Sequence, residues 1–584
     1  MAFWHAQLAS WQAAWKARGL EPLPRITLTP PDQKGSLTLN IFPLLKAFQN
    51  NPQKAAQAVL EPISHIAQVE VVRGFINLTF TPAFWQEFLA EAQQTPHMGY
   101  TRLSLAKGQK IMVEFLSPNT NKPLHLGHLR NLCLGEAVSR LWERLGAQVI
   151  RANLLNDRGI HICKSMVGWK RFFAPQKPQD AGKKGDHFVG DCYVAFEKAY
   201  KAQVDQLKSQ GLAEEEALVR APLFQEAQAL LRAWEAQEPE VRQLWQEMNS
   251  WVYEGFEATL TRLGVRFDRL YYESETYTLG KALVEMGLSK GIFFQAEDGS
   301  VWADLSTAGL GRKLLLRRDG TSVYITQDLG TAHLKFSEYP DLTQSIYVIG
   351  DEQDHHMRVL KALLAQLGMP YAEKIYHLSY AMVELPTGRM KTREGTVVDA
   401  DDLLDEMHAQ AYALTESSLP ENERHAIAEI VAQAAIRFYL LRSDPKKPIL
   451  FDPAESIDLK GFTGPFLQYG YVRAKRLLEK AAEQGIEYDP SADIPALLPA
   501  EEALLQQLYG LPSFLEGAAR SLDPSILAHY GYELTRRYNE LYQTLPVLMA
   551  PERERNLRLG LTRVFLEALG TVLESLGIGV PKRM

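Results

Sequence analysis

Cysteine is scarce in this chain of 584 residues: Cys133, Cys163 and Cys192 stand far apart, with no pair at chelating spacing. That excludes a disulfide framework and gives no zinc-cluster signature, and it suits a reducing, cytoplasmic location. A long apolar run is also missing. The opening residues, MAFWHAQLASWQAAWKARGL, carry Trp, His, Gln and Lys at helical intervals without an apolar core, so neither a signal peptide nor a membrane partner is expected. There is no excess of positive charge either. At a net charge of −7, nucleic-acid contact would have to come from local patches or from shape. Repeats, low-complexity tracts and long disordered linkers are absent, and 46% hydrophobic with 23% charged residues describes a soluble globular protein of several domains.

What is present divides into three parts. Residues 1–107 combine an amphipathic helix, Pro-rich turns, a helix around Leu44–Ala58 and an alternating segment Val69–Phe80 kinked at Arg73-Gly74, which predicts a small α+β domain. Residues 108–440 open with a βαβ unit: strand Ile111–Leu116, a helix at Leu129–Leu145 stopped by Gly146, then strand Gln148–Leu155. A doubly wound parallel sheet follows from that unit, interrupted by a helical insertion over about 173–260. The runs Val265–Tyr272, Gly291–Leu305, Val323–Thr326, Ser345–Ile349 and His377–Val383 are expected to return as sheet strands. Residues 441–584 read as a helical bundle, with patterns at Pro465–Ala482, Ala503–Arg520, Ile526–Leu545 and Arg555–Leu576. The fold class is therefore α/β with an N-terminal α+β appendage and a C-terminal bundle.

The most informative stretch is His125-Leu126-Gly127-His128, between the first strand and the helix. Two imidazoles and a bare backbone meet there where a phosphate chain would approach a helix N-terminus. Fixed donors in such a place stabilise charge on a reacting phosphorus, each worth roughly 3–4 kcal/mol in comparable sites. Gly127 leaves room for adenine or ribose against the backbone. Taken alone, two His near a helix start also suit capping or surface roles, but the neighbouring Asn119, Asn121 and Lys122 favour adenylate chemistry.

The run Ser117-Pro118-Asn119-Thr120-Asn121-Lys122-Pro123-Leu124-His125-Leu126-Gly127-His128-Leu129-Arg130-Asn131 resembles the first signature of class I aminoacyl-tRNA synthetases in its arginyl form. Similarity continues through Asn156-Asp157-Arg158-Gly159, Thr321–Gly330, Arg389–Val398 and Gly461–Arg476. The resemblance implies a Rossmann-like catalytic domain and an arginine–tRNA ligase. Such an enzyme activates L-arginine with ATP, accompanied by Mg2+, to arginyl-adenylate. It transfers the arginine to the 3′ end of tRNA(Arg), releasing AMP and pyrophosphate. No structural zinc or other protein-bound metal is implied, and a monomer is expected.

Gly388–Thr396 resembles the second signature loop of these enzymes, usually Lys-Met-Ser-Lys-Ser, but Thr392 stands at the second lysine's place. Met390 and Lys391 are implied as ATP contacts, and Lys391 with Arg393 as catalytic charges, a solvated basic loop being the alternative. Arginyl enzymes without that second lysine often carry one at the position of Lys122, which suits compensation by a point charge on the phosphates. His125, Gly127 and His128 complete the ATP site, with Lys122, His125 and His128 catalytic.

An arginine substrate needs acceptors for a planar guanidinium. Tyr324 and Asp328 are four apart and share a face if a helix begins there, while Glu114 is an acid in an apolar strand, costly unless it meets a cation. By resemblance, Glu114, Asn119, Tyr324, Asp328 and Gln353 bind arginine, with Ser117 a lesser member; a packed aromatic, a helix cap and an exposed edge acid are the plain structural alternatives. For tRNA, Phe75 and Asn77 match a segment that meets the tRNA elbow, and Met584 ends a tail resembling the family's. Tyr538, with Tyr542 one turn on, suits either base stacking or the bundle core. Phe75 likewise suits either stacking on a base or strand packing. Rival functions are a small nucleotidyltransferase, which would not need the bundle, a catalytically silent tRNA-binding paralogue, which should lack the histidines and acids kept here, and a zinc-bearing synthetase, which lacks its ligands.

Overall fold

The computed structural model describes residues 3–29, 33–94, 103–386 and 398–584. At the N-terminal end, helix Phe3–Ala17 packs with strands β1 (Arg25–Leu28), β2 (Leu37–Asn40), β3 (Ile66–Val72) and β4 (Phe75–Phe80), ordered β1-β2-β4-β3 and all antiparallel. The alternating segment is thus a hairpin. Arg73 has a positive φ of 55°, and a Cβ on Gly74 would strike the Phe42 ring at 2.4 Å, so the turn requires this glycine. The expected helix around Leu44–Ala58 is two pieces, a 3-10 helix Phe42–Phe48 and an α-helix Pro52–Leu60. Gln49 and Asn50 take positive φ between them, and Asn51 caps the second piece by accepting the Lys54 N–H.

In the central region β5 (Lys110–Glu114), β6 (Gln148–Leu155) and β7 (Arg269–Tyr272) are parallel neighbours. The strands β8 (Phe293–Gln295), β9 (Val301–Asp304) and β10 (Arg312–Leu316) form a separate antiparallel sheet. The expectation that Gly291–Leu305 joins the parallel sheet is therefore corrected: Asp298 accepts the Ser300 N–H in a tight turn, and a tight hairpin makes antiparallel pairs, whereas parallel ones need a crossover. Val323–Thr326 is corrected too. It begins the helix Tyr324–Glu338, where the short β-branched run carried no period that could distinguish strand from helix.

The strands β11 (Gln344–Gly350) and β12 (Ile375–Tyr380) complete the parallel sheet in the order β12-β11-β5-β6-β7. β5 is central and buried along most of its length, which is why it reads as a nearly unbroken apolar run. After β5 the chain builds β6 on one side and later β11 on the other, so a ligand crevice opens beyond the carboxyl ends of β5 and β11. Helix Leu126–Arg144 leaves that crevice and packs so closely on the sheet that a Cβ on Gly135 would meet Phe115 at 2.2 Å.

Helices Gly185–Ser209 and Pro239–Leu263 dominate the insertion. The C-terminal bundle consists of Gly464–Glu483, Pro499–Ser521, Ser525–Thr544 and Glu552–Ser575, packed against Glu421–Leu441. The fully buried Arg130 donates to the carbonyls of Ala381, Met382, Pro445 and Lys447 at 2.6–2.9 Å, tying the first helix of the sheet domain to the segments leading toward the bundle. Among the described residues no helix is long and apolar enough to cross a membrane.

Candidate active site

The loop after β5 is strained. Leu116 and Ser117 have φ of 76° and 44°, a region that side chains other than glycine's enter at a cost of about 1–2 kcal/mol each. Three asparagines hold it there. The Leu116 N–H donates to Asn131 Oδ1 at 2.5 Å, the Ser117 N–H to Asn153 Oδ1 at 3.0 Å, and Asn156 Nδ2 donates to the Ser117 carbonyl at 2.9 Å. Asn131 also donates to the Val348 carbonyl of β11 and to the Tyr380 hydroxyl of β12, so one buried side chain spans the crevice floor. Asn131 and Asn156 lie inside quoted motifs, yet their framing role has no signal in spacing. Asn119 is exposed at the lip of this loop, bridged to Asn156.

His125 is the extended N-cap residue of helix Leu126–Arg144. Its N–H donates to His128 Nδ1 at 3.1 Å, and the two rings stack with centroids 3.7 Å apart. Accepting at Nδ1 leaves the His128 proton on Nε2, the outward donor. Burial, followed by the nearby Lys122 charge, lowers the His125 pKa to about 4. Burial, then His125 and Lys122, holds His128 well below its usual range. Both rings are therefore neutral at physiological pH and offer one N–H each. A Cβ on Gly127 would press on the His125 ring at 3.1 Å, so this glycine makes room for the imidazole in addition to any ligand. Among the described residues Lys122 has no ion-pair or hydrogen-bond partner, and burial lowers its pKa.

Tyr324 begins its helix and is 76% exposed, at the mouth of the crevice. Asp328, one turn on, receives His356 Nε2 at 2.5 Å from helix Asp354–Gln366. Gln353 lies exposed in the turn Asp351–Gln353 just beyond β11. Glu114 is buried in the central strand, so the edge-strand alternative falls. Its cation is Lys335, 2.5 Å away and 4.2 Å over the Tyr347 ring. Lys335 sits on the same helix face as Tyr324 and Asp328, which links both acids to one element. An acid missed in the sequence also stands here: Glu273, just beyond β7, has its pKa raised to about 7 by burial, against the opposing pull of Arg158, with Asp157 and Asp328 adding to the rise. Met390, Lys391 and Arg393 lie outside the described residues.

Two expected tRNA contacts are overturned. Asn77 is 5% exposed, accepts from Thr38 Oγ1 at 2.7 Å and donates to Gln33 Oε1, so its amide is spent inside the sheet while Phe75, two residues away, stays exposed beside Phe42. Tyr538 is fully buried, stacked on Phe565 at 3.9 Å with its hydroxyl on Thr562. The exposed aromatics nearby are Tyr542 and Tyr469, each lying beside the Arg473 guanidinium, which donates to Asn539 at 2.6 Å. Met584 packs half-buried against the bundle core. The three cysteines are buried, with burial raising Cys133 to about 11 and Cys163 and Cys192 to about 12.

A parallel sheet whose central strand delivers a stacked, neutral His pair to a helix N-terminus at the switch point is the catalytic core of a class I aminoacyl-tRNA synthetase. Residues 94–452 match the family described as class I (R) tRNA synthetases, catalytic domain, and residues 467–584 match the DALR anticodon-binding domain. The chain belongs to the arginyl-tRNA synthetase family. Arginine–tRNA ligase of Bacteroides thetaiotaomicron is 45% identical over 585 aligned residues, covering 97% of this chain and 96% of the relative, and that of Porphyromonas gingivalis (strain ATCC 33277) is 45% identical over 94% of both. Among solved structures, Thermus thermophilus arginyl-tRNA synthetase superposes over 100% of both chains at a TM-score of 0.83 and 27% identity. The Plasmodium falciparum arginyl-tRNA synthetase shares the fold, with a TM-score of 0.77 at 16% identity.

Proposed function

We propose that this chain is an arginine–tRNA ligase: it joins L-arginine to the α-phosphate of ATP, with release of pyrophosphate, and then passes the arginyl group to the 3′ end of tRNA(Arg), with release of AMP. What supports this is the pairing of two kinds of group on elements that meet at the central strand: the neutral donors His125 and His128 after β5, with Lys122 lacking a partner among the described residues, and the acceptors Asp328 and Tyr324 on the helix whose Lys335 reaches Glu114 of β5.

ATP enters as its Mg2+ complex. His125 and His128 donate to its phosphates as charge builds at phosphorus, Gly127 keeps the turn open, Met390 contacts the nucleotide, and Lys122 neutralises the pyrophosphate together with Lys391 and Arg393 of the second signature loop. Arginine sits with its guanidinium on Asp328, whose carboxylate His356 orients. Tyr324 lines the opening, and Ser117, Asn119 and Gln353 fix the amino and carboxyl ends. Glu114 borders the arginine site and offers its carboxylate as an acceptor, with Lys335 balancing its buried charge.

Phe75 meets the tRNA elbow, and the anticodon loop is read by the bundle through Tyr542, Tyr469 and Arg473, with Met584 at its edge. The working unit is a monomer of three parts, 1–107, 108–440 and 441–584, in the reducing cytoplasm. Charging of bulk tRNA with each of the amino acids in turn tests the reading: arginine alone should be attached, with AMP formed in equal amount.

A further inference from the structure

The segment that follows the second signature loop is bound to the His125 turn by backbone pairing. The Leu126 N–H donates to the Val398 carbonyl at 2.9 Å, the Ala400 N–H donates to the Leu124 carbonyl at 2.9 Å, and His125 and Asp399 face each other across this short antiparallel bridge. The far side of the bridge is anchored by charge. Asp401, in the first turn of helix Ala400–Leu414, accepts from Lys184 Nζ, from His187 Nε2 at 3.0 Å and from Thr259 Oγ1 at 3.0 Å. Those three donors come from two insertion helices, Gly185–Ser209 with its N-cap residue Lys184, and Pro239–Leu263.

The approach is enforced by glycines. A Cβ on Gly185 would lie 2.0 Å from the Trp251 carbonyl oxygen, and one on Gly255 would lie 2.3 Å from Asp186 Oδ1. Further along the same helix, a Cβ on Gly190 would lie 2.9 Å from Pro123 Cδ, so this helix also abuts the loop that carries Lys122. Asp186, His187 and Asp401 have metal-compatible spacing, but the Lys184 ammonium touches Asp401 and lies 3.2 Å from Asp186, which fills the position a cation would take.

We propose that Lys184, His187 and Asp401 are positioning residues for the first adenylation step, holding the bridge strand Val398–Ala400 so that His125 stays aligned on the reacting phosphate. Asp401 touches no substrate. Its carboxylate converts the placement of the insertion helices into the placement of His125, two residues across the bridge. Burial pushes its pKa up, but hydrogen bonds from His187, Lys184 and Thr259 together with the Lys184 charge override this and hold it well below the usual carboxylate range, so it stays ionised for all three donors. Reacting groups tolerate little displacement, about 100-fold in rate being lost for a misplacement near 1 Å.

The inference rests on the proposed ligase function, and its test separates the two. Arginine-dependent exchange of pyrophosphate into ATP, with tRNA present, is measured for the full chain and for Lys184→Met, Lys184→Arg and His187→Gln. Lys184→Met is expected to lower kcat by about 10- to 100-fold while the KM for arginine stays within about twofold, because Tyr324 and Asp328 lie on a different helix. Lys184→Arg is expected to restore most of the rate, and His187→Gln, which keeps a donor, to show a smaller fall in kcat alone. Should Lys184→Met fail to fold, His187→Gln carries the same kcat-against-KM comparison. Wild-type rates in both folded variants, or a parallel rise in arginine KM, overturn the positioning role; absence of arginine-dependent exchange in the unaltered chain overturns the ligase reading instead.

Discussion

The backbone N–H of His125 is committed to Nδ1 of His128, and the two imidazoles stack face to face. That geometry fixes the chemistry of the turn. The His128 Nδ1 lone pair is taken by this bond, so that nitrogen cannot serve as a general base without breaking the arrangement, and each neutral ring keeps one N–H to donate. Transition-state charge is therefore met by preorganised dipoles, with Lys122 as the fixed positive charge beside them.

The first prediction concerns pH. Burial and Lys122 depress the His125 pKa to about 4, against an unfolded value near 6.5. Between those values the unfolded chain binds more protons, so stability is full above pH ~6.5 and declines as pH falls toward 4. Denaturant unfolding of His125→Gln across that window should give a flatter decline than the parent, and an identical slope would show that the ring is not held neutral.

Lys122 should matter to turnover more than to affinity. In Lys122→Ala the rate of arginine-dependent pyrophosphate exchange should fall by roughly 10²–10³, the loss seen when one preorganised transition-state partner is removed, with little change in KM for ATP. Rapid-quench measurement of adenylate formation checks this. An unchanged rate would remove Lys122 from the mechanism.

Asp328 is expected to govern arginine affinity. Asp328→Asn removes the charge from the guanidinium acceptor while keeping its shape, and loss of a charge partner that the bound arginine would cover costs about 2–5 kcal/mol, or roughly 30- to 4000-fold in arginine KM. ATP binding, followed by equilibrium titration, should be spared. An arginine KM equal to that of the parent would contradict the assignment.

The buried Glu114–Lys335 pair gives a stability prediction. Lys335→Met strands the Glu114 carboxylate among apolar side chains and should cost about 3–5 kcal/mol, whereas the double change with Glu114→Gln should recover much of that. Equal losses in the single and double variants, measured by urea unfolding, would mean that the pair is not coupled.

On the bundle, Tyr542→Ala should weaken tRNA charging with little effect on unfolding, while Tyr538→Ala should cost about 3–5 kcal/mol of stability, the usual cost of a large cavity. The KM for tRNA and the unfolding midpoint distinguish them. Tyr538→Phe, which loses only a 3.4 Å hydroxyl contact, should leave both nearly unchanged.

The sequence was most legible where pattern and chemistry coincide. The βαβ unit around the His-Leu-Gly-His turn is legible because the buried run Ile111–Leu116 of the parallel strand is apolar except at Glu114 and the helix after it is stopped by Gly146. Tyr324 and Asp328 could be paired because four residues make one helical turn. Illegible were features decided by distant partners. Asn77 and Phe75 lie on the same strand two residues apart, yet Thr38 and Gln33 claim one and leave the other exposed. Tyr538 and Tyr542 lie one helical turn apart, and the stacking of Phe565 from another helix on the first has no mark in the local sequence. Lys335 carries no sequence mark as the partner of Glu114, because 220 residues of chain intervene. The Lys184–Asp401 anchor was likewise invisible, since it joins the insertion to the far end of the sheet domain.

The central claim, that this crevice activates arginine and loads it on tRNA, is tested most directly by attachment of each of the twenty amino acids to bulk tRNA in the presence of ATP and Mg2+, with the attached amino acid and the accepting tRNA both identified. The account predicts that arginine alone is attached, to tRNA(Arg) alone, with one AMP formed per arginine. Attachment of another amino acid in place of arginine, or no attachment of any, would contradict it.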